Sequence, residues 1–171
     1  MIYKILISLI SFIFFFGCAS KQDYNITKID ISTYKSIIID ANDLLIDDQS
    51  ENSIEYPFID HLVLYNMKFY LNEWTKTRIV PNYKSHNQIK LTIKKANIKA
   101  FYLDNNNKIE DIFVNKAAKR VEIDVYVTIE IIDSNDKNLA YIDLKAFKSK
   151  ELAENISLNE NDHVIQNMIN E

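Results

Sequence analysis

The chain has 171 residues, 47% of them hydrophobic, and a net charge of −4, enough for one domain with its own core and without a bulk electrostatic case for nucleic acid. Its single cysteine, Cys18, excludes an intrachain disulfide. Its single glycine, Gly17, leaves nothing downstream for the glycine-dependent loops of phosphate and dinucleotide sites.

Residues 1–17 carry one early charge, Lys4, then an apolar run to Phe16 and the small residue Gly17, the layout of a secretory signal. The stretch resembles the bacterial lipoprotein signal at Phe15, Phe16, Gly17 and Cys18, with Phe15 and Phe16 bulkier than usual. The resemblance implies cleavage between Gly17 and Cys18, and acyl chains such as palmitate on Cys18. Two or more chains anchor stably where one binds only marginally. An uncleaved anchor or an ordinary secretory signal is the alternative, but the run is shorter than the roughly 20 residues of a spanning helix. Ala19 stands where Asp would retain such a protein at the inner membrane. That residue implies an outer-membrane lipoprotein facing the periplasm of the cell envelope.

Residues 18–33 read as the lipidated N-terminus and tether, and 34–171 as a single domain. A first strand is expected over 34–40, rich in isoleucine. Residues 40–53 read as a solvated acidic connection around Leu44-Leu45-Ile46; the acids lack the order of a calcium loop. A main helix is expected over 57–78, because Ile59, Val63, Met67, Tyr70 and Trp74 recur at spacings of three and four. Leu62 and Phe69 widen that stripe, and Trp74 reads as core. Lys76 and Arg78 suit the last turn, and Pro81 blocks continuation.

Residues 89–103 alternate as a strand but change phase at Lys94-Lys95: Ile89, Leu91 and Ile93 point inward first, then Ala96, Ile98, Ala100 and Tyr102. One bulge residue produces such a switch. With no glycine available, turns fall to Asn and Asp, as at Asn105-Asn106-Asn107. Residues 121–131 alternate from Val121 to Ile131, with Glu122, Asp124 and Glu130 outward, where lysines of neighbouring strands can pair with them. After a polar turn at 133–138, Ala140, Ile142, Leu144 and Ala146 form the expected inner face of a partner strand. A closing helix is marked by Ser157 and Glu160 as a capping box, with Leu158, Ile165, Met168 and Ile169 as its apolar stripe. The expected fold is α+β, in the order β-α-β-β-β-α: an antiparallel sheet of about four strands with two helices on one face.

No catalytic constellation emerges. His61, His86 and His163 are scattered over separate elements and do not share a metal-ligand spacing. A Gly-x-Ser-x-Gly elbow is impossible, and an acylated Cys18 is no nucleophile. The lysines of 84–99 read as the wet face of a strand rather than a nucleic-acid platform. The expectation is no enzyme, no cofactor and no metal, with a small envelope hydrolase or carbohydrate-acting enzyme as the alternative.

With Gly17-Cys18, the first-strand Ile37-Ile38-Ile39 and the long paired strands, the chain resembles small outer-membrane lipoproteins. These are the lipopolysaccharide-assembly lipoproteins and the auxiliary lipoproteins of lipid-transporting ABC systems. The resemblance implies a non-enzymatic accessory of envelope assembly or lipid transport. Its expected partners are the membrane through Cys18, an envelope protein, and a lipid or lipopolysaccharide whose phosphates could meet the lysine rows.

Overall fold

Three long strands carry the architecture: β4 (Gln88–Tyr102), β5 (Ala117–Ile132) and β6 (Asn138–Ala153). The computed structural model describes residues 35–103, 117–153 and 156–171; the segment 1–17, Cys18, the tether 18–33 and the Asn105-Asn106-Asn107 turn lie outside them. A short strand β2 (Asp43–Asp48) completes a sheet of order β2-β4-β5-β6. β4, β5 and β6 pair antiparallel, and β2 lies parallel to β4. Helices α1 (Met67–Arg78) and α2 (Leu158–Asn170) bring Tyr70, Ile165, Met168 and Ile169 into one core with Ile89, Leu91, Ile93, Ala96, Ile98, Val121, Ile123, Val125 and Val127. The fold is α+β, with a mostly antiparallel sheet.

The phase switch in β4 is a register shift between Ile93 and Lys95. Ile89, Leu91, Ile93, Ala96 and Ile98 are all buried, so one extra residue keeps both halves of the strand facing the core. Tyr102, expected inward, is 78% exposed. The turn after β5 forms as expected. Asp133 accepts from the N–H groups of Asn135 (2.8 Å) and Lys137 (3.0 Å), and Asp136 takes the positive φ of 59° that glycine would otherwise supply. Tyr83 has the same φ, and its N–H donates to the Ala41 carbonyl at 2.9 Å.

Besides Tyr102, four expectations about whole elements are corrected. The acidic stretch 40–53 is not simply a loop, because Asp43–Asp48 pairs with β4, and Leu44 and Ile46 pack on the core. Nothing local announces that strand; its partner lies some 45 positions away, in register Asp43↔Gln88. The first strand, β1 (Ile37–Ile39), is shorter than expected and leaves the main sheet to pair in parallel with β3 (Ile79–Pro81). The main helix begins at Met67, not Pro57. Residues 57–60 instead lie along the free edge of β4: Ile59 N–H donates to Ile98 O (2.9 Å), Ala100 N–H to Pro57 O (2.8 Å), and Asp60 accepts from Ile98 N–H. A 3-10 turn, Asp60–Leu62, follows, and Asn66 caps α1 by accepting from Phe69 N–H at 3.0 Å. Ile59 and Val63 still pack on the core, so helical spacing was kept by contact, while Leu62 is 67% exposed.

The fourth correction concerns β6. Its expected inner face, Ala140, Ile142, Leu144 and Ala146, is exposed. These residues stand opposite Ile131, Ile129, Val127 and Val125, so they do continue the apolar rows of the sheet. The helices stop short of them: α1 packs on β3 and β4, and α2 on β5. In α2, Ser157 caps as expected, accepting from Glu160 N–H at 3.2 Å. Leu158 turns away from the core at 83% exposure, and Gln166 is buried in the stripe instead.

Candidate functional site

The shortfall of the helices leaves a groove of about 420 Å³ beside β6. One wall is α1, through Met67, Tyr70, Leu71 and Trp74; Leu91, Val125 and Val127 line it from β4 and β5. Leu144 and Ala146 form the far lip, and Ile169 and Asn170 close one end. The volume falls in the range of small-molecule sites, which are concave and mostly apolar. Two of its buried polar side chains are tied down. Thr75 donates to the Leu71 carbonyl at 2.7 Å. Tyr70 donates through its hydroxyl to Gln166 Oε1 (3.3 Å), while Gln166 Nε2 donates to the Tyr65 carbonyl (3.1 Å). This chain of bonds fastens α2 to α1, and buried polar atoms so satisfied do not compete for a ligand. Lys145 and Asn170 also line the groove, but most of what it presents is hydrocarbon, and apolar surface is what it can retain.

Trp74 was expected in the core. It is partly buried against the core cluster and also lines the groove. Its helical spacing marked it as inward-facing, but spacing carries no information on how far the opposite wall extends. Most of the apolar lining was legible as core and not as a site, and Leu71, Thr75, Lys145 and Asn170 carried no signal, because the groove depends on where two helices end above a sheet.

The opposite face of the sheet is polar. Asp47, Thr92, Thr128 and Asp143 form one row across all four strands, and Thr128 donates to Asp143 at 2.6 Å. That hydrogen bond, ahead of the charge of Lys94, holds the Asp143 carboxyl below the usual range. The expected lysine–carboxylate pairing appears at Lys95–Asp124 (3.1 Å), and further pairs form at Lys90–Asp47 (3.4 Å) and Lys94–Asp143 (4.0 Å). The Lys94 and Lys145 amines flank the Tyr126 ring at 4.7 and 4.5 Å. So the lysine rows expected to meet phosphates are interleaved with acids.

A smaller polar recess lies at the N-terminal end of α1, around Asp60, His61, Asn66 and Lys68. Burial pushes the Asp60 carboxyl up, against the hydrogen bond it accepts from Ile98 N–H. At neighbouring Asp48, burial acts upward too, but hydrogen bonds from Ser50 and the charge of Lys68, 3.5 Å away, bring the carboxyl below its ordinary value. The three histidines fall in the 3-10 turn (His61), the β3–β4 loop (His86) and α2 (His163). Among the described residues no three His, Cys, Asp or Glu side chains form a metal-holding group. Gly17 and Cys18 lie outside those residues.

No family model and no curated protein matches this chain. Among solved structures, it is similar to a minor lipoprotein from Acinetobacter baumannii, at 13% identity over 75% of this chain and 82% of that chain, with a TM-score of 0.35.

Proposed function

We propose that the protein is a bacterial envelope lipoprotein, anchored through acyl chains on Cys18, that acts without catalysis by holding an apolar ligand. The reading makes it an accessory of envelope assembly or lipid transport, at the outer membrane and facing the periplasm. The observation that carries it is the groove beside β6, open and lined by Met67, Leu71, Trp74, Val127 and Leu144. The Gly17-Cys18 pair after the apolar run supports the anchor. A lipid-handling role needs both parts: attachment keeps the groove within reach of a bilayer, and the apolar lining offers an acyl chain an alternative to water.

Trp74 is the sole tryptophan, so tryptophan fluorescence comes from one position, on the groove wall. The full chain in lipid nanodiscs, titrated with a brominated stearate, should show saturable quenching of Trp74. Leu71→Glu should weaken that binding at least tenfold. Non-saturable quenching, or equal affinity in the variant, would count against a ligand groove. Intact-mass measurement of the N-terminal peptide should find Cys18 acylated, and Cys18→Ser should leave the membrane fraction. An unmodified Cys18 would remove the anchor from the reading.

A further inference from the structure

We infer that two copies of this chain associate edge to edge through β6, antiparallel, about a twofold axis passing between the two Leu144 residues. Among the described residues β6 pairs only with β5, so its outer edge presents unpaired backbone donors and acceptors over sixteen residues. Edges of that length are commonly shortened, bulged or covered, because they template pairing with another chain. This one also bears Leu139, Tyr141, Ile142, Leu144 and Phe147, all exposed.

The occupant is argued from the strand's own sequence. Directly opposed residues of an antiparallel pair lie on the same face of the sheet, so a self-pairing must match odd positions with odd and even with even. Centring on Leu144 then sets Leu144 against its own copy and Ile142 against Ala146 on the inner face. On the outer face Asp143 meets Lys145, and Tyr141 meets Phe147. Opposite charges and paired aromatic rings are the combinations that stabilise cross-strand contacts. Neighbouring registers lose them. Centring on residue 143 opposes two aspartates, and centring on 145 opposes two lysines. Centring on 146 sets Leu144 against Lys148. The charges on the strand thus guard it against slipped pairings while admitting this one.

Such an interface is isologous and closes on itself as a dimer. The two sheets become one of eight strands, and the axis, perpendicular to the sheet, keeps both helical layers on the same side. Because Leu144 lies at the axis and forms the lip of the groove, the grooves of the two copies adjoin. Each copy thereby supplies the wall that the other lacks. The inference stands whether or not that trough takes a lipid.

Sedimentation of the full chain in mild detergent should give a dimer. Asp143→Lys should weaken association at least tenfold, by opposing lysines across the axis, and Asp143→Lys combined with Lys145→Asp should restore it. A parent chain that stays monomeric, a reversal without effect, or an uncorrected double swap would overturn the interface. Disulfide mapping of Leu144→Cys, a surface change that spares the core, gives a second reading. A disulfide joining position 144 of one copy to 144 of the other is expected. Its absence under oxidising conditions, or selective self-linkage of Phe147→Cys instead, would overturn the register.

Discussion

Two aspartates near the start of α1 respond to acid in opposite directions. Asp60 has a carboxyl raised above its unfolded value of 3.8 by burial. Folding therefore favours its protonated form; that contribution is fully present below pH 3.8 and is lost as pH rises through the folded value. Asp48 is lowered, so its contribution is present above 3.8 and is lost as pH falls through the folded value. Asp60→Asn, which keeps an acceptor for Ile98 N–H, should raise the melting temperature at pH 7, with the gain shrinking toward pH 3. Asp48→Asn should lower it at pH 7 and converge with the parent in acid. Melts across that range check both signs, and a gain for Asp60→Asn that grew in acid would refute the first. Neither sign was legible in the sequence, where Asp48 belonged to the acidic connection 40–53 and Asp60 to the first turn of the expected helix. The burial of Asp60 follows from the path of residues 57–60 beside β4, and Asp48 meets Lys68 only because α1 packs against the same strand.

Elements were legible where the signal is local. Alternation identified β4, β5 and β6, and the phase change located the bulge at Lys94-Lys95, because with a period of two an extra residue is needed to keep Ile89 and Ile98 on one face. Ser157 was readable as a cap for the same reason: its partner, Glu160 N–H, is three residues away. The start of α1 was misplaced because apolar spacing over 57–66 has a second cause. Those residues touch the core from an extended path beside β4, held by Ile59 and Ala100 backbone bonds. Asn66 is the true cap, and Asn66→Ala should cost about 1 kcal/mol of stability, read from urea midpoints. Met67→Ala would not separate these alternatives, since that side chain packs on the core under either boundary. A cost near zero for Asn66→Ala would place the helix start elsewhere.

At the scale of the whole molecule, one sheet has two unequal halves. Rows that begin at Leu44 and Ile46 on β2 run through buried positions of β4 and end on uncovered residues of β6. Ile98→Ala, at a fully buried site, should cost about 2–5 kcal/mol. Ile142, on the same face and 52% exposed, should tolerate Thr within about 0.5 kcal/mol. Chemical denaturation of the isolated monomer checks the contrast; equal costs would mean that β6 is covered in solution. The uneven cover is what makes a groove, an apolar lip and an open edge coincide at Leu144.

The sequence by itself determined the α+β class, the alternating strands, the bulge and the Ser157 cap, and it confined glycine and cysteine to Gly17 and Cys18. Each of these follows from residue identity or from contacts a few positions apart. Only the tertiary structure decided that β2 pairs in parallel with β4, that residues 57–60 run beside it, and that the helices stop short of β6. Those outcomes depend on contacts between distant segments, and alternation reports which face is apolar without reporting what covers it. The expected inner face of β6 was therefore read correctly as apolar and wrongly as buried. That difference is what opens the groove.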